Sequence, residues 1–457
     1  MKKGVFDKSL LTVTTSLGSL HLVSLTVPIL LEQICNNMIG TVSTAVLSGY
    51  SEEAVAATGV VNIFLTIFTV LFASIAAGAS VIISNLIGAD LLGKAEKACW
   101  TAVVLCGSVG MVCAAVLFLG SSKIVEWMQL SGTVLGLANI YLKIRALSLV
   151  ILALSTMMLA QMRCYGYSKV TVITGLVTNF CNLLFSVYAV RYAKHPFFSG
   201  VSGVAVGSVL SQLIGLAIAA AIFIKLKIKL SREHNWVKFK QQSIRILKIG
   251  IPTFISNASF TLSQIITNSF AVLLGLNAVS AKVYFGNILC YAYLFSLSIG
   301  TANSLMIGRL CGAGRYEQAS KLNRMLVRVS IPMNLIISLF ILICRSSILT
   351  LFTANEVIIS MAFGIFLVDI LVEQARAVSH IYEYALRAAG DVTLTMIVAL
   401  ISCWMFSVGM AYILSISCEM GLIGCWIGLA IDESIRAVFT FYRWRSGKWT
   451  LKVLNKM

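Results

Sequence analysis

Val27-Pro28 is answered by Ile251-Pro252, 224 residues further along, and this echo decides the fold. The chain has only four prolines, so a match in context is rarely accidental. The same offset recurs elsewhere. Gly88-Ala89 answers to Gly312-Ala313, Ala95 and Lys97 to Ala319 and Lys321, and Arg163 and Gly166 to Arg387 and Gly390. Gly203 and Gly207 answer to Gly424 and Gly428 with a shift of 221. The chain is a tandem duplication.

Composition places the duplicated unit in a membrane. Apolar residues make up 59% and charged residues 11%, whereas soluble domains carry about 25% charged residues. Stretches of about 20 mostly apolar residues, enough to span, recur throughout. They predict twelve helices, at residues 17–47, 54–87, 95–120, 134–162, 168–192, 201–226, 245–275, 279–311, 322–345, 356–388, 392–416 and 421–445. The short alternating segments of a closed barrel are absent. The expectation is an all-α polytopic membrane protein with two six-helix lobes, 14–226 and 244–446, joined by a soluble linker at 227–243. Six is even, so both halves start on the same side. The pseudo-two-fold axis then runs along the membrane normal, a parallel repeat of the kind found in transporters.

Lysine and arginine set the expected orientation. With the N-terminus in the cytoplasm, the inner segments collect Lys2, Lys3, Lys8, Lys94, Lys97, Arg163, Lys169, Arg309, Arg315, Lys321, Arg324, Arg328, Arg387 and the basic C-terminal run. The outer loops hold few, among them Lys123, Arg191, Lys194 and Arg345, and the first carries Glu52 and Glu53. Both termini are expected in the cytoplasm of a multi-pass cell-membrane protein. The net charge of +18 reflects this asymmetry and contact with anionic headgroups. Nucleic acid is not an expected partner, because no basic soluble domain exists to hold it. The first helix is long and followed by eleven more, so it reads as a retained span. A monomer is expected.

The twelve cysteines form no C-x-x-C pair. Cys99, Cys106 and Cys113 share a helix face, where free cysteine packs as a small hydrophobe. No phosphate loop, catalytic constellation or metal-type histidine cluster is visible, and no cofactor is expected. An ion gradient is the remaining energy source.

Chemistry concentrates in the tenth predicted helix. Asp369, Glu373, Arg376, His380, Glu383 and Arg387 follow at intervals of four, three, four, three and four. They fall within an arc of about 80° and run for about 27 Å. A charge at the bilayer centre costs about 2.5–3.5 kcal/mol, so the stripe should face protein or water. Glu373 can meet Arg376 and Glu383 can meet Arg387. Two readings stand: a self-neutralising seam between helices, or a lining that handles ions or substrate. Asp369 and Glu373, one turn apart, repel each other, which makes a proton acceptor of one of them.

A weaker set lies in the first helix, where Glu32, Asn36 and Ser43 share a face. Pro28, one turn earlier, frees a carbonyl and suggests a gate, although a proline tolerated by packing is an equal reading. The seventh helix offers Gln264 and Asn268 after Pro252. In the twelfth, Asp432 and Arg436 read as an ion pair. Asn179, Asn182 and Gln212 can bridge helices or bind a substrate.

These residues carry a resemblance. Val27-Pro28-Ile29-Leu30-Leu31-Glu32-Gln33, Gly78-Ala79-Ser80, Ile87-Gly88-Ala89-Asp90 and Leu386-Arg387-Ala388-Ala389-Gly390-Asp391 resemble segments of the multidrug and toxic compound extrusion (MATE) family, in its order and spacing. The resemblance implies two six-helix lobes around a V-shaped cavity. It also implies export of organic cations and drugs against an inward flow of protons or sodium. Two places depart from the family pattern. The usually acidic position in the first helix is Ser43, in Val42-Ser43-Thr44, and the aspartate of sodium-coupled members is replaced by Arg376. Any coupling ion, H+ or Na+, must then use other carboxylates, with Asp369 and Glu373 the candidates. The expected function is a secondary active exporter of small molecules. A flippase for lipid-linked saccharides is the alternative, and a membrane enzyme or receptor has no motif in its favour.

Overall fold

The computed structural model describes residues 11–15, 17–48, 51–128, 132–193, 195, 198–226 and 228–454, with the side chains of 38–48, 52 and 454 outside the description. Among the described residues the chain is helical apart from one short hairpin. Strand β1 (Thr12–Thr15) pairs antiparallel with β2 (Gly18–His21), with Thr12 opposite His21 and Thr15 opposite Gly18. The first span was expected from residue 17 but begins at Leu22. The β-branched run Thr12-Val13-Thr14-Thr15 favours a strand, and Gly18 at φ +108° serves the tight turn. Val13 and Leu20, opposite each other, are both 3% exposed.

Twelve long helices match the twelve predicted spans one for one. They are α1 (Leu22–Ser48), α2 (Glu52–Gly88), α3 (Leu92–Trp127), α4 (Gly132–Cys164), α5 (Ser168–Arg191), α6 (Gly200–Lys225), α7 (Trp236–Leu273), α8 (Leu276–Gly312), α9 (Tyr316–Ile343), α11 (Glu356–Ala388), α12 (Val392–Ser402) and α13 (Leu422–Arg445). A single turn, α10 (Arg345–Leu349), and a short α14 (Trp449–Leu454) were not foreseen. Helix α12 continues in π register over Cys403–Met410 and Ile413–Ser417. Among the described residues, eight helices are long and apolar enough to cross a membrane by length and composition alone.

The stretch expected to be a soluble linker is non-helical only as far as Asn235. There the Asn235 side chain accepts from the backbone N–H of Val237 at 2.9 Å and Lys238 at 3.3 Å, an N-cap that starts α7 early. The backbone N–H of Asn235 also donates to Glu233, at 3.2 Å, and Lys97 pairs with it at 3.3 Å. Together they hold the Glu233 carboxyl below the usual range.

The chain divides into two compact units. Among the described residues, one takes Val27–Leu86 and Leu91–Phe254; the other takes those up to Thr26, Ile87–Asp90 and those from Ile255 onward. The division passes inside α1 next to Pro28 and inside α7 just after Pro252. In the first unit α4 packs on α3 and α6, and α5 on α6. Helix α2 crosses the start of α7 backbone to backbone. A Cβ on Gly78 would lie 2.6 Å from the Ile246 carbonyl oxygen, and one on Gly250 would lie 3.1 Å from the Ile75 Cα. In the second unit α11 is enclosed by α8, α9 and α13. Its core centres on Phe285, whose ring meets Phe366 and Trp426 edge-on at 5.2 and 6.4 Å.

Candidate functional site

Helix α11 brings the charged stripe into the interior of the second unit. Asn355 caps it, accepting from Val357 N–H at 3.0 Å. Thirty-odd residues on, the helix ends at Ala388, just before Gly390 at φ +83°. Between these ends Asp369, Glu373, Arg376, His380, Glu383 and Arg387 are each between 0% and 8% exposed. The stripe faces protein. Burying this many charges is tolerable only if they satisfy one another.

They do so in a network that reaches across to α13. Arg376 donates to Glu373 at 2.7 Å through Nη1 and to Glu433 at 3.2 Å through Nε. Glu433 also accepts from Ser379 at 3.2 Å and from Arg436 at 3.1 Å. Arg436 pairs in turn with Asp432 at 3.3 Å, and Asp432 is held by the Ser402 hydroxyl. Arg387 donates to Glu383, its neighbour one turn back. The guanidinium of Arg376 sits 4.9 Å above the Tyr293 ring, and that of Arg387 sits 5.0 Å above Tyr384. Such stacking adds about 0.5–2 kcal/mol each in a desolvated place. His380 packs edge-on against Tyr293 at 5.5 Å, with its Nδ1 buried and unpartnered.

Charge does not balance here. Asp369, Glu373, Glu383, Asp432 and Glu433 stand against Arg376, Arg387 and Arg436, a surplus of two carboxylates in one buried cluster. The surplus lies at the Asp369 end. Asp369 meets one donor, Trp426 Nε1 at 3.2 Å, and no guanidinium. Its Oδ2 and the Oε2 of Glu373 are both buried without a partner. A proton or another cation is what such a pair can accept.

Helical spacing puts Glu373 within reach of Arg376 and Glu383 within reach of Arg387, and both pairs form. Arg376 also holds Glu433, 57 residues away, a partner that spacing along one helix does not reveal. Its position three residues before Arg436 was the available signal. The Asp432–Arg436 pair itself is present.

The set in α1 is arranged separately, in the first unit. Glu32 accepts from Arg163 at 3.4 Å and from Thr171 at 3.0 Å, and Asn36 accepts from Asn179 at 2.6 Å. Asn182 bridges α5 to α6 through Ser208 and Ser211. The side chain of Ser43 lies outside the described residues. Gln264 is half-buried and Asn268 exposed on α7, and neither side chain bonds to the ionic network. Pro28 and Pro252 both sit inside their helices. Pro332 is a third such proline, in α9. All twelve cysteines are free, and among the described residues no cluster has the make-up of a metal site.

Long apolar helices, an internal repeat and a buried charged cluster define a class, the polytopic membrane transporters. The MatE family model matches the chain twice, over residues 28–188 and 252–413, and the chain belongs to the MATE family. It is 30% identical over 454 residues to an uncharacterized transporter, YisQ, of Bacillus subtilis, covering 99% of both chains. It is 26% identical over 431 residues to a probable multidrug resistance protein NorM of Thermotoga maritima, covering 94% of this chain and 92% of that one. The crystal structure of a MATE transporter in the straight conformation superposes with a TM-score of 0.85 at 19% identity, over the full length of both chains. The fold is therefore the twelve-helix, two-lobe MATE fold.

Proposed function

We propose that this protein is a secondary active multidrug exporter that exchanges small organic, typically cationic, compounds for an inward-moving ion by alternating access. The coupling ion is H+, carried by Glu373 with Asp369. The observation that carries this reading is the surplus of two buried carboxylates at that end of the network, with one oxygen of each unpartnered. A relative described as a probable multidrug resistance protein supports the substrate class.

Arg376 supplies the reason for choosing the proton over Na+. Its guanidinium already occupies the space between Glu373 and Glu433, where a metal cation would otherwise bind carboxylate oxygens. When Glu373 takes up a proton, its hold on Arg376 weakens while Glu433 retains it. In this reading both termini are cytoplasmic, the protein works as a monomer in the cell membrane, and the lobes 14–226 and 244–446 move about the 227–243 linker. Pro28 and Pro252 mark the bending points.

The test is substrate uptake into inverted vesicles with separately imposed proton and sodium gradients. Export should follow the proton gradient, Glu373→Gln should abolish it while the protein remains folded in the membrane, and sodium should be dispensable. A parent protein that strictly requires sodium overturns the account, as does a Glu373→Gln variant that exports like the parent under both gradients.

A further inference from the structure

Where α11 meets α8 and α9 runs a second polar line that none of the network explains. Asn323, Ser330, Asn334 and Ser338 follow along α9 at intervals of seven, four and four, and all are between 0% and 5% exposed. At helical spacing they share one face over about 22 Å. That face is turned to α8 and α11. Asn334 donates to Ser296 of α8 at 2.6 Å and to the Glu373 carbonyl of α11 at 3.1 Å. Asn303 of α8 donates to Asn323 at 2.7 Å and to the Ile381 carbonyl of α11 at 3.1 Å.

Each residue of this line has an atom left over. Asn303 Oδ1, Asn323 Nδ2, Ser330 Oγ, Asn334 Oδ1 and Ser338 Oγ are buried without a partner, as are Glu373 Oε2 and Asp369 Oδ2. A buried polar atom without a hydrogen bond costs about 1–3 kcal/mol. Five along one three-helix seam are too many to be left dry, and buried water, making about three bonds each, is the usual remedy. One end of the seam reaches α11 at Glu373, whose backbone carbonyl accepts from Asn334. The other approaches the start of α9, where Lys321 and Arg324 are exposed.

We propose that this α8–α9–α11 seam holds a file of waters that carries the coupling proton between the Asp369–Glu373 pair and the solvent at the N-terminal end of α9. The inference rests on the reading of that pair as the proton site. Transfer along the file is a relay. Each hydroxyl or water accepts one proton and passes on another, so the line is unchanged and only a carboxylate becomes a carboxylic acid. The carboxyls are faced by Cys290 and Tyr293 of α8, by Glu433 and Trp426 of α13, and by Arg376 of α11 itself, with Arg436 and Asp432 beyond Glu433. Helix α9 lines the seam with uncharged hydroxyls and amides, which relay a proton without trapping it.

The experiment uses the full-length protein in liposomes enclosing a pH dye, with substrate binding measured at equilibrium on the same samples. Ser330→Val should slow proton movement after a pH jump by about tenfold, the effect of about 1.4 kcal/mol added to the transfer barrier. Its substrate affinity should be unchanged, and Ser330→Thr, which keeps the hydroxyl, should restore the rate. Ser330→Val moving protons at the parental rate, while Glu373→Gln moves none, overturns the seam and leaves the proton site standing. Glu373→Gln moving protons at the parental rate overturns the site itself. A high-resolution structure of the parent provides a check that needs no variant. Ordered water between Asn323 and Ser338 is expected, and a dry seam sinks the proposal.

Discussion

Arg376 is held by two carboxylates from two helices and lies over an aromatic ring, so its guanidinium is fixed rather than mobile. Glu433 is the more consequential partner, because it also gathers Arg436 and Ser379 and is 1% exposed. Neutralising it leaves two buried guanidiniums to share what remains. Breaking one side of a buried ion pair costs about 3–5 kcal/mol. Glu433→Gln should therefore lower the thermal stability of the detergent-solubilised protein markedly, whereas Glu317→Gln, at an exposed i,i+4 pair with Lys321, should leave it nearly unchanged. Equal melting temperatures for the two variants would show that Glu433 is not the hub described here.

Among the elements, α11 is the one whose sequence and surroundings agree most closely. Its charges lie on faces closed by α8 and α13, its uncharged polar contacts lie toward α9, and its cap is a side chain one residue before the first turn. The contact of α2 with the start of α7 is governed by something different, the absence of side chains. Gly78 and Gly250 let the two backbones touch, with no room for a Cβ on Gly78. Forcing in a larger residue costs about 1–3 kcal/mol through strain. Gly78→Val should push the helices apart, and a lower melting temperature together with faster proteolysis ahead of Trp236 would report it. Gly93→Ala, at a position with open space around it, is the control. A Gly78→Val protein as stable and as protease-resistant as the Gly93→Ala protein would refute the close crossing.

On the scale of the whole molecule, the chain is duplicated, yet its two units are not the two sequence repeats. The residues up to Thr26 belong with the C-terminal unit, and the first half of α7 belongs with the N-terminal one. These two exchanges take place beside a proline within a helix, where one backbone hydrogen bond is missing and bending is easier. Transport by motion of the two lobes as near-rigid bodies then predicts that bifunctional crosslinks between 14–226 and 244–446, introduced on a cysteine-free background, arrest export, and that reduction restores it. Full transport with the lobes locked would exclude that motion.

The amino-acid sequence alone determined the membrane class, the duplication and the twelve spans, because apolar length and repeated turn residues are local properties written along the chain. It also kept the stripe on α11 out of lipid, facing protein or water, since helical spacing and the cost of a charge in hydrocarbon suffice for that; burial in protein was decided by packing. It missed the hairpin at Thr12–His21, where a β-branched run and a turn glycine overrode the apolar count. It could not find Glu433 as the partner of Arg376 or the Asn303–Asn323 and Asn334–Ser296 contacts behind α11. Those pairings join residues from 20 to 57 positions apart, and no periodicity encodes them. Only the packing of α8, α9 and α13 around α11 decided which charges meet, which oxygens are left over, and hence where a proton can be held.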